Sequence, residues 1–354
     1  MRHMRRTIII IHPGALGDVL LAVPAMRRLR ARFPRHELMF CANEPVAQLL
    51  LECRVIDAWE SVQGISCLPL FDRSQAVAGQ LKDWLGRCDL AVAWTQDEEG
   101  TLATVLQRCG ARDVRVGSPF SPLLRARHQS DRFVETLQEP ASGSSPYCSL
   151  SLPDHRIKHG LVLLNKTGVP TDQRLILVHP GSGSQHKCVR AQVLVRVIER
   201  LQEAGALPLI LEGPADEAVV TDLLNYTPSR PTVFRGLDLC TLAALLSHMQ
   251  LVIGHDSGVT QLSALLGVQT VALFGPTDPI RWAPRGTNVS VVRGTPCKCQ
   301  SWDAVTQCAE KACLSPSVEA VTAACGIHHH VGATPRNPSQ SALSLPMSYV
   351  TVTS

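Results

Sequence analysis

The chain has no run approaching the roughly 20 apolar residues that a membrane-spanning helix needs. It also lacks an excess of one charge: 34 Lys and Arg stand against 30 Asp and Glu, and a net +4 is too small alone to suggest a nucleic-acid partner. No secretory leader is expected either. The basic start runs into an apolar stretch, Thr7–Ile11, that is too short for a signal-peptide core and leads straight into a glycine loop. A cytoplasmic protein is therefore expected. Nor do the 13 cysteines form a disulfide framework; they are scattered through apolar segments, which suits reduced thiols. Finally, no G-x-G-x-x-G follows either first strand, so the dinucleotide fingerprint of a dehydrogenase is not met.

What is present is an alternation of strand-like and helix-like segments over 354 residues, enough for two α/β domains with separate cores. The most informative stretch is Leu251–Pro279. Leu251–Ile253 reads as the end of a buried parallel strand, and Gly254–Gly258 breaks it with turn formers. Thr260–Leu266 is small and apolar, as in a helix packed on a sheet, and Gly267 suits its C-terminal cap. Val268–Phe274 is a second buried strand. Asp256, Ser257 and Gly258 thus fall where a strand gives way to a helix. That is the ligand crevice of an open α/β sheet, and free N–H groups at a helix start favour a phosphate there.

The N-terminal half follows the same grammar. A strand at Thr7–Ile11 leads through a loop to a helix expected over Val19–Phe33. Gly14 and Gly17 let the loop turn tightly and approach a ligand. Asp18 at the helix start fits an N-cap and a catalytic carboxylate, and the two roles are compatible. Arg27, Arg28, Arg30 and Arg32 make either a solvated face or an electropositive rim for an anionic acceptor or a membrane surface. Strands at Glu37–Cys41, Asp89–Trp94 and Val114–Val116 alternate with helices at Pro45–Leu51 and Gly100–Cys109, the pattern of a parallel sheet with crossovers. From Gln138 to Pro153 the composition turns to Pro, Ser and Gly, as in a linker.

A second α/β unit begins at Leu175–Val178 and opens into the loop His179–Lys187. Its backbone N–H groups at 181–184 can cradle a phosphate, its hydroxyls can donate, and Lys187 adds charge. A strand at Leu207–Leu211 leads to the polar loop Glu212–Glu217 at the same sheet edge, and a helix at Leu239–Leu246 precedes the stretch described above. Cys297, Cys299, Cys308 and Cys313 are close enough in sequence for a tetrahedral zinc site, but no CxxC pair is present, and reduced, partly buried thiols are the preferred reading. A last helix is expected over Ser315–Ala324 with Pro316 in its first turn. Beyond Cys325, the Ser, Thr, Pro and His content, including His328–His330, fits a disordered tail.

Three motifs fall in order. They are Gly14-Ala-Leu-Gly-Asp18, then His179-Pro-Gly-Ser-Gly-Ser184 with Lys187, then Asp256-Ser-Gly258 with Phe274-Gly-Pro-Thr-Asp-Pro279. Singly they are weak; as an ordered set over residues 7 to about 325 they resemble the lipopolysaccharide heptosyltransferases, glycosyltransferase family 9. The resemblance implies the α/β GT-B fold, two Rossmann-like domains with parallel sheets facing across a cleft. The acceptor domain would span residues 1–150, a connection 151–174, the donor domain 175–326 and a tail 327–354, with helix 315–325 crossing back to the first domain. The implied reaction is an inverting transfer, without a metal or other cofactor, of a heptose from its ADP donor to inner-core lipopolysaccharide. A nucleotide-diphosphate sugar and an anionic glycolipid or glycan are then the partners, with peripheral contact at the inner membrane face. By motif, Asp18 matches the general base beside the acceptor-side Gly14 and Gly17. Ser182, Gly183 and Lys187 match donor phosphate or heptose contacts, Glu217 a nucleoside contact, and Asp256, Ser257 and Gly258 the donor loop.

Two departures lie on the donor side. The family usually has His where this chain has Gln261, and Gln can donate a hydrogen bond but cannot carry a positive charge. Cys188-Val-Arg190 follows Lys187 where the family often has Trp-Pro. They leave open a different nucleotide sugar as donor, or a non-catalytic nucleotide-sugar-binding relative. A helix start also lowers a carboxylate pKa, which weakens Asp18 as a base unless burial offsets it.

Overall fold

The computed structural model describes residues 5–119, 127–138, 148–327 and 349–351. Most of the expected linker, the His328–His330 run and most of the expected tail lie outside the described residues. In the first half, β1 (Thr7–His12), β2 (Glu37–Ala42), β3 (Ala58–Ser61), β4 (Cys88–Ala93) and β5 (Asp113–Val116) form a parallel sheet in the order β3-β2-β1-β4-β5. In the second, β6 (Arg174–His179), β7 (Ala206–Glu212), β8 (Val233–Arg235), β9 (Leu251–His255), β10 (Gln269–Phe274), β11 (Val289–Arg293) and β12 (Tyr349–Thr351) form a parallel sheet in the order β11-β10-β9-β6-β7-β8-β12. Every residue of β1 and β9 is buried, as in central strands covered by helices on both faces. Strand order reverses between β1 and β4 and between β6 and β9. The three motifs are the loops after β1, β6 and β9, at these two switch points. Two Rossmann-like parallel sheets facing across a cleft make this the GT-B fold. Among the described residues no helix is long and apolar enough to cross a membrane.

Several expected elements differ. The helix expected over 19–33 is two, Leu16–Leu21 and Val23–Arg32, broken at Ala22. Pro24 explains the break, since it offers no N–H to the preceding turn and its ring crowds the carbonyl four residues back. Asp18 therefore lies in the first turn of a helix whose N-cap is Ala15, so it is not the N-cap. The last helix runs Val318–Ala324; Ser317 caps it by accepting from the Ala320 N–H, and Pro316 precedes it. It does not cross back to the first domain. It packs on helix Ala191–Glu203 and β11, because Val321 and Cys325 belong to the apolar core of the second sheet. Residues 349–351, expected in a disordered tail, pair as β12 with β8 at the sheet edge, where β8 would otherwise leave its ladder groups open.

The two halves share an apolar interior. Helix Leu239–Leu246 is buried from Cys240 onward and packs on helices Asp154–Lys166 and Glu44–Glu52. Gly160 permits the first crossing: a Cβ there would come 2.3 Å from the Ala244 carbonyl oxygen. Nearer the switch points, helix Leu16–Leu21 lies on helix Gly258–Leu265. Further out, Arg285 pairs with both oxygens of Asp131 at 2.5 and 2.6 Å, and His128 Nε2 bonds the Ala283 carbonyl at 2.8 Å.

Candidate active site

After β1 the chain folds back over its own last residue. Gly14 donates its N–H to His12 Nδ1 at 3.1 Å, and a Cβ on Gly14 would lie 2.6 Å from the ring, so only glycine fits. Because Nδ1 accepts, the neutral His12 carries its proton on Nε2; burial pushes its pKa down to about 4. Asp18 follows one turn later, partly buried. Burial raises its pKa above the usual carboxylate range, the charge of Asp256 adds to this, and Lys187 and the Ala15 N–H pull the other way. Burial thus outweighs the helix start, and Asp18 is a stronger base than its position alone would make it.

On the facing domain, Lys187 Nζ meets Asp256 Oδ2 at 2.8 Å, and Ser182 Oγ donates to the Asp256 carbonyl at 2.8 Å. These bonds tie the loop after β6 to the loop after β9. Ser257 caps helix Gly258–Leu265 through the Thr260 N–H, leaving the start of that helix toward the cleft. Gly258 faces Leu16, where a Cβ would come 2.7 Å from the leucine side chain, and a Cβ on Gly17 would be 3.6 Å from the Gly258 Cα. The first and third motifs therefore touch. Asp18, Gly183, Lys187, Asp256 and Gln261 line one cleft of about 420 Å³. Gln261 is held there, its Nε2 donating to the Trp282 carbonyl at 2.7 Å. Trp282, Trp302 and Thr277 complete the walls. Thr277 belongs to the motif Phe274–Pro279, whereas the sequence offered none to mark Trp282 or Trp302.

Glu217 falls elsewhere. It begins helix Glu217–Asn225 and lines a second, larger cavity of about 780 Å³ with mainly apolar walls, bounded by the segment Asn43–Gln48 on one side and the Glu212–Glu217 loop on the other. Leu16 lines it too, and Leu16 packs on Gly258, so the two cavities adjoin.

Beneath the loops after β6 and β9 lies a buried polar chain that sequence reading missed. Asp216 Oδ2 meets His179 Nε2 at 2.9 Å and accepts from the Gly213 N–H at 2.9 Å, and His179 Nδ1 lies 3.4 Å from Ser257 Oγ. Burial works to raise the Asp216 pKa, but these bonds outweigh it and hold the carboxyl below its usual range. His255 accepts from the Val189 N–H at 3.0 Å and donates to the Gly181 carbonyl at 3.2 Å; burial keeps it neutral, with a pKa of about 4. The signal was there in outline: His179 opens one loop and Asp216 precedes Glu217 in the other, but each read only as a polar loop residue.

Cys297, Cys299, Cys308 and Cys313 come together away from the cleft. Contact with Cys297 raises the Cys299 thiol to about 11, and burial with Cys297 nearby raises Cys313 to about 11, so both stay protonated near neutral pH. All 13 cysteines are free. Among the described residues no group of three or more His, Cys, Asp or Glu side chains is placed to hold a metal ion.

Comparison with known proteins bears on this geometry. The profile of glycosyltransferase family 9 (heptosyltransferase) matches residues 127–313, more than half of the 354-residue chain. Lipopolysaccharide heptosyltransferase 3 of Escherichia coli is 23% identical over 296 residues, covering 77% of this chain and 83% of its own. Lipooligosaccharide heptosyltransferase 2 of Campylobacter jejuni is 21% identical over 282 residues, covering 78% and 83%. Among solved structures, a family 9 glycosyltransferase from Veillonella parvula superposes with a TM-score of 0.71 at 18% identity, covering 92% of this chain and 97% of that one. The Escherichia coli heptosyltransferase WaaC with ADP gives 0.58 at 18% identity, covering 85% and 98%. With two facing parallel sheets, the three motifs at their switch points and a profile match across the donor side, the chain belongs to glycosyltransferase family 9, the heptosyltransferases, and is a glycosyltransferase.

Proposed function

We propose that the protein is an inverting, metal-independent heptosyltransferase that moves a heptose from an ADP donor to the inner core of lipopolysaccharide, at the cytoplasmic face of the membrane. The observation that carries this reading is the convergence of Asp18 from one domain with Lys187, Asp256 and the Gly258 helix start from the other on a single cleft. Asp18 takes the proton of an acceptor hydroxyl as its oxygen bonds the anomeric carbon. The bond from that carbon to the diphosphate breaks on the opposite face, and the electron pair leaves with ADP. Lys187 and the helix start meet the charge that develops on the leaving diphosphate, the part a metal would otherwise play. The adjoining cavity, with Glu217 on its wall, has room for the nucleoside. Among the relatives, WaaC is described with ADP and with ADP-2-deoxy-2-fluoro heptose, which supports the same donor class.

A second reading, transfer of a different sugar from a nucleotide donor, is favoured by Gln261. Its amide is bound to Trp282 in the cleft, where the family pattern has an ionisable side chain. One assay separates the readings. Purified protein is given ADP-heptose or other nucleotide sugars, with core-lipid acceptors and excess chelator, and nucleotide release and product anomeric configuration are followed. Turnover with ADP-heptose, chelator present and configuration inverted, is expected. Turnover only with another sugar establishes the second reading, and no turnover with any donor refutes both. Asp18→Asn should lower turnover roughly 100-fold or more while ADP affinity stays near wild type. Unchanged turnover would remove Asp18 as the base.

A further inference from the structure

Outside the cleft, four buried side-chain nitrogens of the described first domain have no hydrogen-bond partner: His12 Nε2, Trp94 Nε1, Gln129 Nε2 and Arg132 Nε. With His12 in the tautomer described above, all four are donors. They are also neighbours. His12 and Trp94 end β1 and follow β4, on either side of the switch point, with ring centroids 5.9 Å apart, and Phe133 lies 5.2 Å from each. Gln129, Arg132 and Phe133 share helix Gln129–Glu135, which packs on helices Leu16–Leu21 and Val23–Arg32. A surplus of buried donors at one place is costly unless an acceptor-rich group completes it.

Gln129 and Arg132 line a separate cavity of about 210 Å³ with Gly117, Ser118, Phe133 and Thr136. Gln129 is only 1% exposed and Arg132 9%. The Arg132 guanidinium bonds the carbonyls of Pro119 at 3.1 Å and Ser118 at 2.9 Å, and Gln129 Oε1 at 3.5 Å, all of them neutral. The carboxylates beside it are taken: Asp131 by Arg285, and Glu135, at the cavity wall, by Arg127. A nearly buried cation thus has only the charge of Glu135 acting on it, a carboxylate already paired with Arg127, and burial still disfavours its charged form.

We propose that this cavity is an oxyanion subsite of the acceptor side, taking a phosphate or carboxylate group, with Arg132 supplying charge and Gln129 a neutral donor. It rests on the reading of the first domain as the acceptor domain. Phe133, on the cavity wall, touches His12, and Gly14 brings His12 close to Asp18, so an acceptor laid across this side of the domain would offer a hydroxyl to Asp18 and an acidic group to Arg132.

The probe is inorganic phosphate, added to protein already saturated with ADP so that the donor loops are occupied. Phosphate, against chloride at matched ionic strength, is expected to raise the wild-type melting temperature by about 2 °C. The rise should vanish in Gln129→Leu and Arg132→Met. If Arg132→Met fails to fold, Gln129→Leu, neutral and of similar size, carries the comparison. In transfer assays, acceptors bearing an acidic group should have a KM about tenfold below their neutral counterparts, and both variants should erase that preference. No phosphate effect in the wild type, or equal effects in wild type and variants, overturns the site. A phosphate effect without acceptor preference makes it a site for a free anion and overturns its assignment to the acceptor. ADP binding in the same samples tests the donor function separately.

Discussion

On the proposed function, Asp18 carries the protonation of the site and Lys187 the binding of the diphosphate. The raised pKa of Asp18 means that kcat/KM should climb with pH through a value above the ordinary 3.8, as the carboxyl loses its proton. Lys187 lowers that pKa, so Lys187→Ala should move the acid limb to higher pH. The same change should weaken ADP binding by about 1.5–3 kcal/mol, the range of a lost charge-assisted contact. Titration calorimetry and a pH–rate profile read the two effects independently. An unmoved acid limb would show that the lysine does not act on Asp18; equal ADP affinity would make it a surface charge.

At the scale of elements, packing at a few close approaches decides the outcome. Gly160→Ala drives a Cβ toward the Ala244 carbonyl, a backbone atom that cannot swing aside, and should cost about 1–3 kcal/mol in urea unfolding. A wild-type midpoint would mean that helices Asp154–Lys166 and Leu239–Leu246 part easily. In β9, His255 is neutral with a pKa of about 4 against an ordinary 6.5. Between those values the unfolded chain binds a proton that the native one does not. The stability it contributes is present above pH 6.5 and is lost as pH falls toward 4, by roughly 3 kcal/mol at most. His255→Gln should flatten the dependence of unfolding free energy on pH over that window, and an unchanged slope would refute the neutral assignment. The elements themselves were legible to different degrees. β1, β4, β6 and β9 announced themselves because both faces of a central parallel strand are apolar. β3 and β8 did not: they are four and three residues long, and Ala58-Trp-Glu-Ser61 is only half-buried. The loops holding Asp18, Lys187 and Asp256 could be read because glycine and serine punctuate them. His179, Asp216 and Trp282 could not, since what brings each to the site is tertiary contact between distant segments.

Over the whole molecule, charge ties at the rim differ from the packed interior. The Arg285–Asp131 pair is about one-third exposed on each side, so Arg285→Ala should change global stability by under about 1 kcal/mol. It should instead let the halves spread, seen as a larger radius of gyration by small-angle scattering without ADP; an unchanged radius would place the restraint in the apolar interior alone. The contact of Gly17 and Leu16 with Gly258 has a different consequence. There the backbone of Gly17 nearly meets that of Gly258 and the Leu16 side chain rests on Gly258, next in sequence to Asp18 and close to Asp256. For any rocking of one half on the other about this point, it is the fulcrum, and displacement grows with distance from it. Asp18 and Asp256 sit on the short arm and would barely shift. The far ends of the cleft sit on the long arm and would open most, which on the proposed function lets substrates pass while the spacing around the transferred bond is kept.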